Sequence, residues 1–297
     1  MNRIPLALAA LAALLLAPTV GADPLTLRFK GAIYQDDKEG ALRDPEGVAC
    51  AEGTLWVADT GNARLVKFGL QNGLPVSATV VKHAELQQPT SLGIDGKGTV
   101  WVLDRKARKI GRVNPDGAFG GWLEVKGVET PAAVVPLAFK VDGAGGVVLL
   151  DGPSRKVLVL NPTGLVVRTL PLPPGDFVDV AGEAGGTIYA VDATGSAVWS
   201  AEKAATAFKP LTKGMKDVLV FPSSITDTGK GVLVLADKHG HGIVLVGVDG
   251  TFQGRQLDMG WNEGVLYYPG QTCLGAGGDL YIADRGNNRV QVFATQR

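Results

Sequence analysis

The sequence predicts an all-β fold: a six-bladed β-propeller with four antiparallel strands per blade, closed by an N-terminal strand in the last blade. Three observations predict it. An apolar run ending in aspartate recurs at Asp59, Asp104, Asp151, Asp192, Asp237 and Asp284, with gaps of 45, 47, 41, 45 and 47 residues. Each copy is built from short β-type runs parted by glycine turns, and no window after residue 23 has a 3.6-residue period. The last copy stops after its third run, at Phe293, while a strand-like segment, Leu25–Tyr34, precedes the first copy without a place of its own.

Taken in chain order, the first residues read as a targeting segment. A short basic start (Met1-Asn2-Arg3), an apolar stretch (Ile4–Leu16) and small residues at Val20-Gly21-Ala22 predict a signal peptide over 1–22. A single propeller domain over 23–297, periplasmic or secreted, is then expected. The apolar stretch is short of the ~20 residues needed to span a bilayer, so a retained anchor is the rival reading and no membrane span is expected.

Leu25–Tyr34 is assigned to the outer edge of the last blade, because a ring with an unpaired edge invites wrong pairing. Each copy then opens with a proline-led strand: PEGVAC from Pro45, PTSLGI from Pro89, PLAFKV from Pro136, PSSITD from Pro222 and PGQTCL from Pro269. The fourth copy reads GDFVDV from Gly175 and lacks the proline. A glycine turn leads to the apolar run, a polar turn follows the aspartate, and a third strand comes next (RLVKF, KIGRV, KVLVL, AVWSA, GIVLV, RVQVF). A weaker fourth strand completes the unit. The middle runs are apolar almost throughout, as expected for sheets covered on both faces. Units of this size bury both faces only by packing around an axis.

The pattern P-x-G-V-A…L-W-V-A-D-T-G-N-x-R-[LV]-x-x-F spans Pro45–Phe68 and returns at Pro269–Phe293. It resembles the NHL repeat, the unit of six-bladed propellers. The resemblance is good in Pro89–Val113, fair in Pro136–Leu160 and Pro222–Val246, and poor in Gly175–Ala201. It implies fold more than function. Members of the family serve as RNA-binding domains, protein-binding platforms and an amidating lyase, and related propellers include lactonases.

Composition narrows the classes. Twenty-nine basic residues balance 29 acidic ones, so no global field draws nucleic acid or an anionic membrane, and neither is expected as a partner. A monomer is expected. No Ser-His-Asp set, haem motif or phosphate-binding glycine loop appears.

The repeat aspartates form one candidate group. A base stands five residues after the acid in Asp59/Arg64, Asp104/Lys109, Asp151/Lys156 and Asp284/Arg289, the separation of a pair facing across a tight hairpin. Repetition argues for a structural role. The turns that follow these aspartates share one face of the ring, here called the upper face. It carries Arg105, Lys106, Arg108, Arg155, Lys238, His239, His241 and Arg285. Glu46 and Asp176, second in their strands, are expected near the central opening. Trp261, Tyr267 and Tyr268 lie on a long entry into the last blade, where aromatics serve recognition or cap the core.

Cys50 falls sixth in its strand and Cys273 fifth. Neighbouring blades touch through opposite faces, so opposite parity is what a bridge between blades one and six requires, and a disulfide is possible there.

The function expected is a non-enzymatic binding platform whose upper face holds a protein, peptide or small molecule. Glu46, Arg108, Asp176, His239, His241, Trp261, Tyr267, Tyr268 and Arg285 are the candidate contacts. The alternative is a metal-dependent lactonase-like hydrolase or amidating-lyase-like enzyme with calcium or zinc at the central opening. No cofactor or metal set is assigned.

Overall fold

The computed structural model describes residues 25–296; the segment read as a signal peptide lies outside them. Six antiparallel four-stranded sheets surround a central channel. Blade 6 opens the chain with β1 (Thr26–Ile33). Blade 1 follows with β2 (Pro45–Ala51), β3 (Thr54–Asp59), β4 (Arg64–Gln71) and β5 (Leu74–Val81). Blade 2 holds β6 (Pro89–Ile94), β7 (Val100–Asp104), β8 (Lys109–Val113) and β9 (Phe119–Trp122). Blade 3 holds β10 (Pro136–Val141), β11 (Val147–Asp151), β12 (Lys156–Leu160) and β13 (Val166–Pro171). Blade 4 holds β14 (Phe177–Gly182), β15 (Ile188–Asp192), β16 (Ala197–Ala201) and β17 (Lys209–Pro210). Blade 5 holds β18 (Pro222–Asp227), β19 (Val232–Asp237), β20 (Gly242–Gly247) and β21 (Phe252–Gln256). Blade 6 is completed by β22 (Pro269–Leu274), β23 (Asp279–Asp284) and β24 (Arg289–Gln296).

The ring closes as the sequence predicts. β1 runs antiparallel to β24, from Thr26 opposite Gln296 to Ile33 opposite Val290. Alternation within a middle strand explains the near-continuous apolar runs. Val232, Val234 and Ala236 of β19 pack against blade 6, while Leu233 and Leu235 pack against blade 4. The core is therefore six clusters, one between each pair of neighbouring blades. Blade 4 has the shortest outer strand, and Thr212 substitutes for part of it, its Oγ1 accepting the Val198 N–H at 2.9 Å.

Each repeat aspartate is buried and holds the loop that enters its own blade. Asp59, Asp104, Asp151, Asp192, Asp237 and Asp284 accept the backbone N–H of Arg43, Gln88, Val135, Asp176, Phe221 and Tyr267 at 2.6–3.0 Å. A charged acceptor makes such bonds stronger than neutral ones. The expected base partners divide. Arg64 lies 2.5 Å from Asp59 and Arg289 lies 2.7 Å from Asp284. Lys109 and Lys156 form no ion pair among the described residues, although each stands opposite its aspartate in register. Lys109 sits over the Trp122 ring instead, and Asp104 and Asp151 are satisfied locally by the Ala107 N–H and the Ser154 hydroxyl. In blade 5 the guanidinium comes from the outer strand: Arg255 reaches Asp237 at 2.8 Å.

The fourth blade corrects the sequence alignment. Phe177 stands opposite Asp192 just as Pro222 stands opposite Asp237, so Phe177 takes the place of the proline. Asp176 is exposed in the loop before the strand, and Asp179 moves to the third position. Phe177 holds that place by packing into the interface between blades 3 and 4 and against the Trp199 ring, 6.3 Å away.

Cys50 and Cys273 are joined by a disulfide with their Cα atoms 5.9 Å apart. Past the irregularity at the second residue, even positions of an inner strand face the preceding blade and odd positions the following one. Cys50 and Cys273 therefore meet between blades 1 and 6, beside the cluster around Val48 and Tyr281.

Candidate functional site

Every inner strand is irregular at its second residue. The pairing register shifts between Pro45 and Gly47, Pro89 and Ser91, Pro136 and Ala138, Phe177 and Asp179, Pro222 and Ser224, and Pro269 and Thr272. A bulge re-aims the side chain it carries. The six re-aimed residues, Glu46, Thr90, Leu137, Val178, Ser223 and Gly270, all line the upper mouth of the channel, a cavity of about 140 Å³.

The residue after each repeat aspartate stands above this rim. At that position are Thr60, Arg105, Gly152, Ala193, Lys238 and Arg285. Three are cations, and all three line the mouth. Arg105 forms a two-pronged pair with the Glu46 carboxylate. Arg285 stands farther off, 3.7 Å from Glu46 and 3.6 Å from Asp44. Lys238 is half-buried and has no ion pair or side-chain hydrogen bond among the described residues. Burial, together with the nearby charges of Arg285 and Arg105, pushes its ammonium below the usual lysine range, against the opposing pull of Glu46. The other half of the rim is apolar: Leu137 is 53% exposed, with Val178 beside it.

Below the rim, the third position of the strands forms a polar waist. Gln271 of blade 6 accepts the N–H groups of Val48 (3.2 Å) and Leu92 (2.9 Å) and donates to the Leu92 carbonyl (2.7 Å), tying blade 6 to blades 1 and 2. This reach requires glycine at position 47, where a Cβ would lie 2.6 Å from the Thr90 carbonyl oxygen and 3.1 Å from Gln271 Oε1. Lys140 of blade 3 lies 3.1 Å from Asp179 of blade 4, and the same carboxylate oxygen accepts the Ile225 N–H of blade 5 at 2.9 Å. The Thr226 hydroxyl donates to the Thr272 carbonyl at 2.9 Å, joining blades 5 and 6. The Gly96 N–H donates to the Gly143 carbonyl at 3.0 Å, joining blades 2 and 3. Ser224, also at the third position and lining the upper mouth, is 3% exposed, and its hydroxyl has no partner among the described residues.

Beside the mouth, blades 5 and 6 raise an aromatic wall. His239 stacks on Phe221 at 4.8 Å, and His241 stacks on Tyr267 at 5.2 Å and meets Tyr268 edge-on at 4.7 Å. His241 Nδ1 accepts the Tyr268 N–H at 3.1 Å, which leaves the ring proton on Nε2. Burial pushes the His241 imidazole below its ordinary range. Trp261, 71% exposed, leans toward Tyr267 with ring centres 6.0 Å apart.

Of the candidates read from sequence, Glu46, Arg285 and Tyr268 meet at the mouth, and His239 lines a shallow recess beside it with Lys238 and Arg285. His241, Tyr267 and Trp261 form the adjoining wall. Arg108 and Asp176 do not join them. Arg108 borders a groove between blades 2 and 3, because the turn carrying it points away from the axis. His83 lies elsewhere, bonded to the Gly117 carbonyl at 2.8 Å. The sequence reading missed Asp179, Gln271 and Ser224. A constant step to the repeat aspartate, 15 residues from proline in blades 2, 3, 5 and 6, is the signal that places Asp179 in the waist.

The mouth does not fit a calcium or zinc ion. Its one rim carboxylate is already clasped by Arg105, and among the described residues no three His, Cys, Asp or Glu side chains are arranged to hold a metal.

Comparison with known proteins agrees with this architecture. The NHL repeat model matches residues 42–68 and 266–293, parts of blades 1 and 6. No curated protein sequence matches the chain. Among solved structures, the gluconolactonase of Xanthomonas campestris superposes with a TM-score of 0.66 at 14% identity, covering 95% of this chain and 99% of that one. Virginiamycin B lyase from Staphylococcus aureus gives 0.61 at 13% identity, covering 91% and 99%. A chain of the nidogen/laminin complex gives 0.56 at 17% identity, covering 78% and 92%. At these identities the likeness is one of fold. No helix among the described residues is long and apolar enough to cross a membrane.

Proposed function

We propose that this chain, an NHL-repeat six-bladed β-propeller, is a binding platform that takes its ligand on the upper face, over the mouth of the channel. One observation carries the reading. Half-buried Tyr268 stands at the mouth beside Lys238, which has no direct anionic partner, and Arg285, which meets Asp44 and Glu46 only loosely, with exposed Trp261 on the adjoining wall and a bulged residue from every blade on the rim. Aromatic and cationic groups around a concave centre are what recognition sites concentrate. The leader-like N-terminal segment and the disulfide support an exported protein working in an oxidising compartment. A second reading, an enzyme, has support from the fold shared with a lactonase and a lyase.

The test is selection of binders from a random peptide library, followed by mapping on variants. Binding should fall at least tenfold in Trp261→Ala or Arg285→Ala and stay unchanged in Asp142→Asn at the opposite, lower mouth. Binders indifferent to the upper-face substitutions overturn the platform. Stoichiometric calcium or zinc in the purified protein, with turnover of a lactone, establishes the enzyme instead.

A further inference from the structure

We propose that the upper mouth binds a carboxylate carried on a short apolar stem. This deepens the platform reading and rests on it. Arg105, Lys238 and Arg285 occupy one repeat position in blades 2, 5 and 6; the anions around them are Glu46 and Asp44 and, lower in the mouth, Asp179, which is engaged by Lys140. Arg105 spends its fork on Glu46, which leaves Lys238 without a direct partner and Arg285 beyond hydrogen-bond reach of either carboxylate. A lysine with no direct anionic partner beside an arginine only loosely paired, at a half-buried rim, favours a further anion, and a guanidinium beside an ammonium suits a planar carboxylate.

The far side of the same mouth is built to the opposite chemistry. In blades 3 and 4 the cation position is Gly152 and Ala193, and the re-aimed residues are Leu137 and Val178. Gly152 makes room for Leu137: a Cβ there would lie 3.0 Å from the leucine side chain. A carboxylate held by Lys238 and Arg285 therefore directs its stem toward Leu137. The buried, unpartnered hydroxyl of Ser224 lies in the floor, where a second oxygen of the ligand or a water completes it. The cavity, about 140 Å³, suits a stem of a few carbons. Short-chain carboxylic acids and peptides ending in an apolar residue share this chemistry.

Calorimetric titration distinguishes the sources. The probes are pentanoate and pentanamide, and a peptide of three alanines and a terminal leucine with either a free or an amidated C-terminus. The free acids should bind at least tenfold tighter than the amides, and added salt should weaken them. Lys238→Met should remove at least tenfold of that affinity with an unchanged unfolding midpoint, since Lys238 has no internal partner to lose. Leu137→Ser should weaken pentanoate more than acetate. Either free acid binding in this way supports the site. Equal binding of acid and amide, or no binding of either acid up to on the order of 10 mM, overturns it. An upper-face binder that ignores the carboxylate overturns this assignment alone and leaves the platform standing.

Discussion

The Lys140 ammonium of blade 3 lies 3.1 Å from the Asp179 carboxylate of blade 4, and that carboxylate also holds the Ile225 N–H of blade 5. Two neighbouring interfaces therefore converge on one buried acid. Gln271 does the corresponding work across blades 6, 1 and 2. A propeller's blades touch mostly through apolar surface, which sets no register along the axis; these directional bonds do.

The two members of the Lys140–Asp179 pair should differ in what their loss costs. Lys140→Met leaves the carboxylate with the Ile225 N–H and the open channel, and should destabilise by ~1 kcal/mol. Asp179→Ala strands both Lys140 and a buried backbone N–H, and should cost ~2–4 kcal/mol. Asp179→Asn keeps an oxygen for Ile225 and should fall between them. Urea midpoints at constant slope measure all three; equal losses for Lys140→Met and Asp179→Ala would show that the backbone bond is immaterial.

The ring also has a covalent lock. The Cys50–Cys273 bridge closes a sequence separation of 223 residues and ties the inner strand of the first blade to that of the last, the two blades that hold the ends of the ring. Cross-linking a long loop restricts the unfolded chain, by ~2–5 kcal/mol in this range of loop lengths. Cys50→Ser together with Cys273→Ser should lower stability by that amount while leaving the far-ultraviolet circular dichroism unchanged, because β1 and β24 still zip the same blade. Loss of folded signal in the double variant would show that the strand closure is insufficient alone.

The repeat positions make a second contrast. Arg289 is 2% exposed and binds Asp284 together with the carbonyls of Trp261, Asn262 and Val265. Lys109, at the same repeat position, pairs with no acid among the described residues and sits over the Trp122 ring. Arg289→Ala should cost ~3–5 kcal/mol and release the 258–268 loop, whereas Lys109→Ala should stay within ~0.5 kcal/mol. Thermal unfolding compares them. Arg289→Lys should recover little, since one ammonium cannot replace a planar fork.

That contrast also shows how much the sequence could tell. The six aspartates, the 41–47-residue steps and the orphan first strand carried the blade count and the closure, because burial on two faces writes itself into every copy. The spacing of acid and base placed Lys109 opposite Asp104 but could not say where its side chain turns. In blades 1 and 6 the base at this position is an arginine, and carbonyls of a long entry loop gather around its guanidinium, at Arg64 and Arg289. The waist was less legible. Asp179 and Gln271 occur once each, so no repetition marks them, and the missing proline hid the register of the fourth blade. Lys238 and Arg285 were visible as upper-face charge, but their lack of close partners is a property of distances, which no spacing rule gives.

His241 provides the pH dependence. Its Nδ1 accepts the Tyr268 N–H, and Tyr268 holds a left-handed backbone, φ 51°, at the entry to the last blade. Burial lowers its affinity for a proton in the fold, with His239 and Arg255 acting in the same sense and Asp237 and Asp284 opposing. A folded-state value below the unfolded one means that the unfolded chain binds the proton first. The contribution is therefore complete above the ordinary value of 6.5 and is lost as pH falls through the lowered folded value. Protonation also puts a donor at Nδ1 against the donor of Tyr268. Urea midpoints measured from pH 7 to pH 5 should fall in the wild type and fall less in His241→Phe, which keeps a ring against Tyr267 but cannot take the proton. Parallel curves for the two proteins would show that the imidazole does not control this loop. The Trp261 share of the fluorescence, taken as the wild type less Trp261→Phe, should report the wall loosening over that pH window, since Trp261 packs toward Tyr267 on the segment His241 holds.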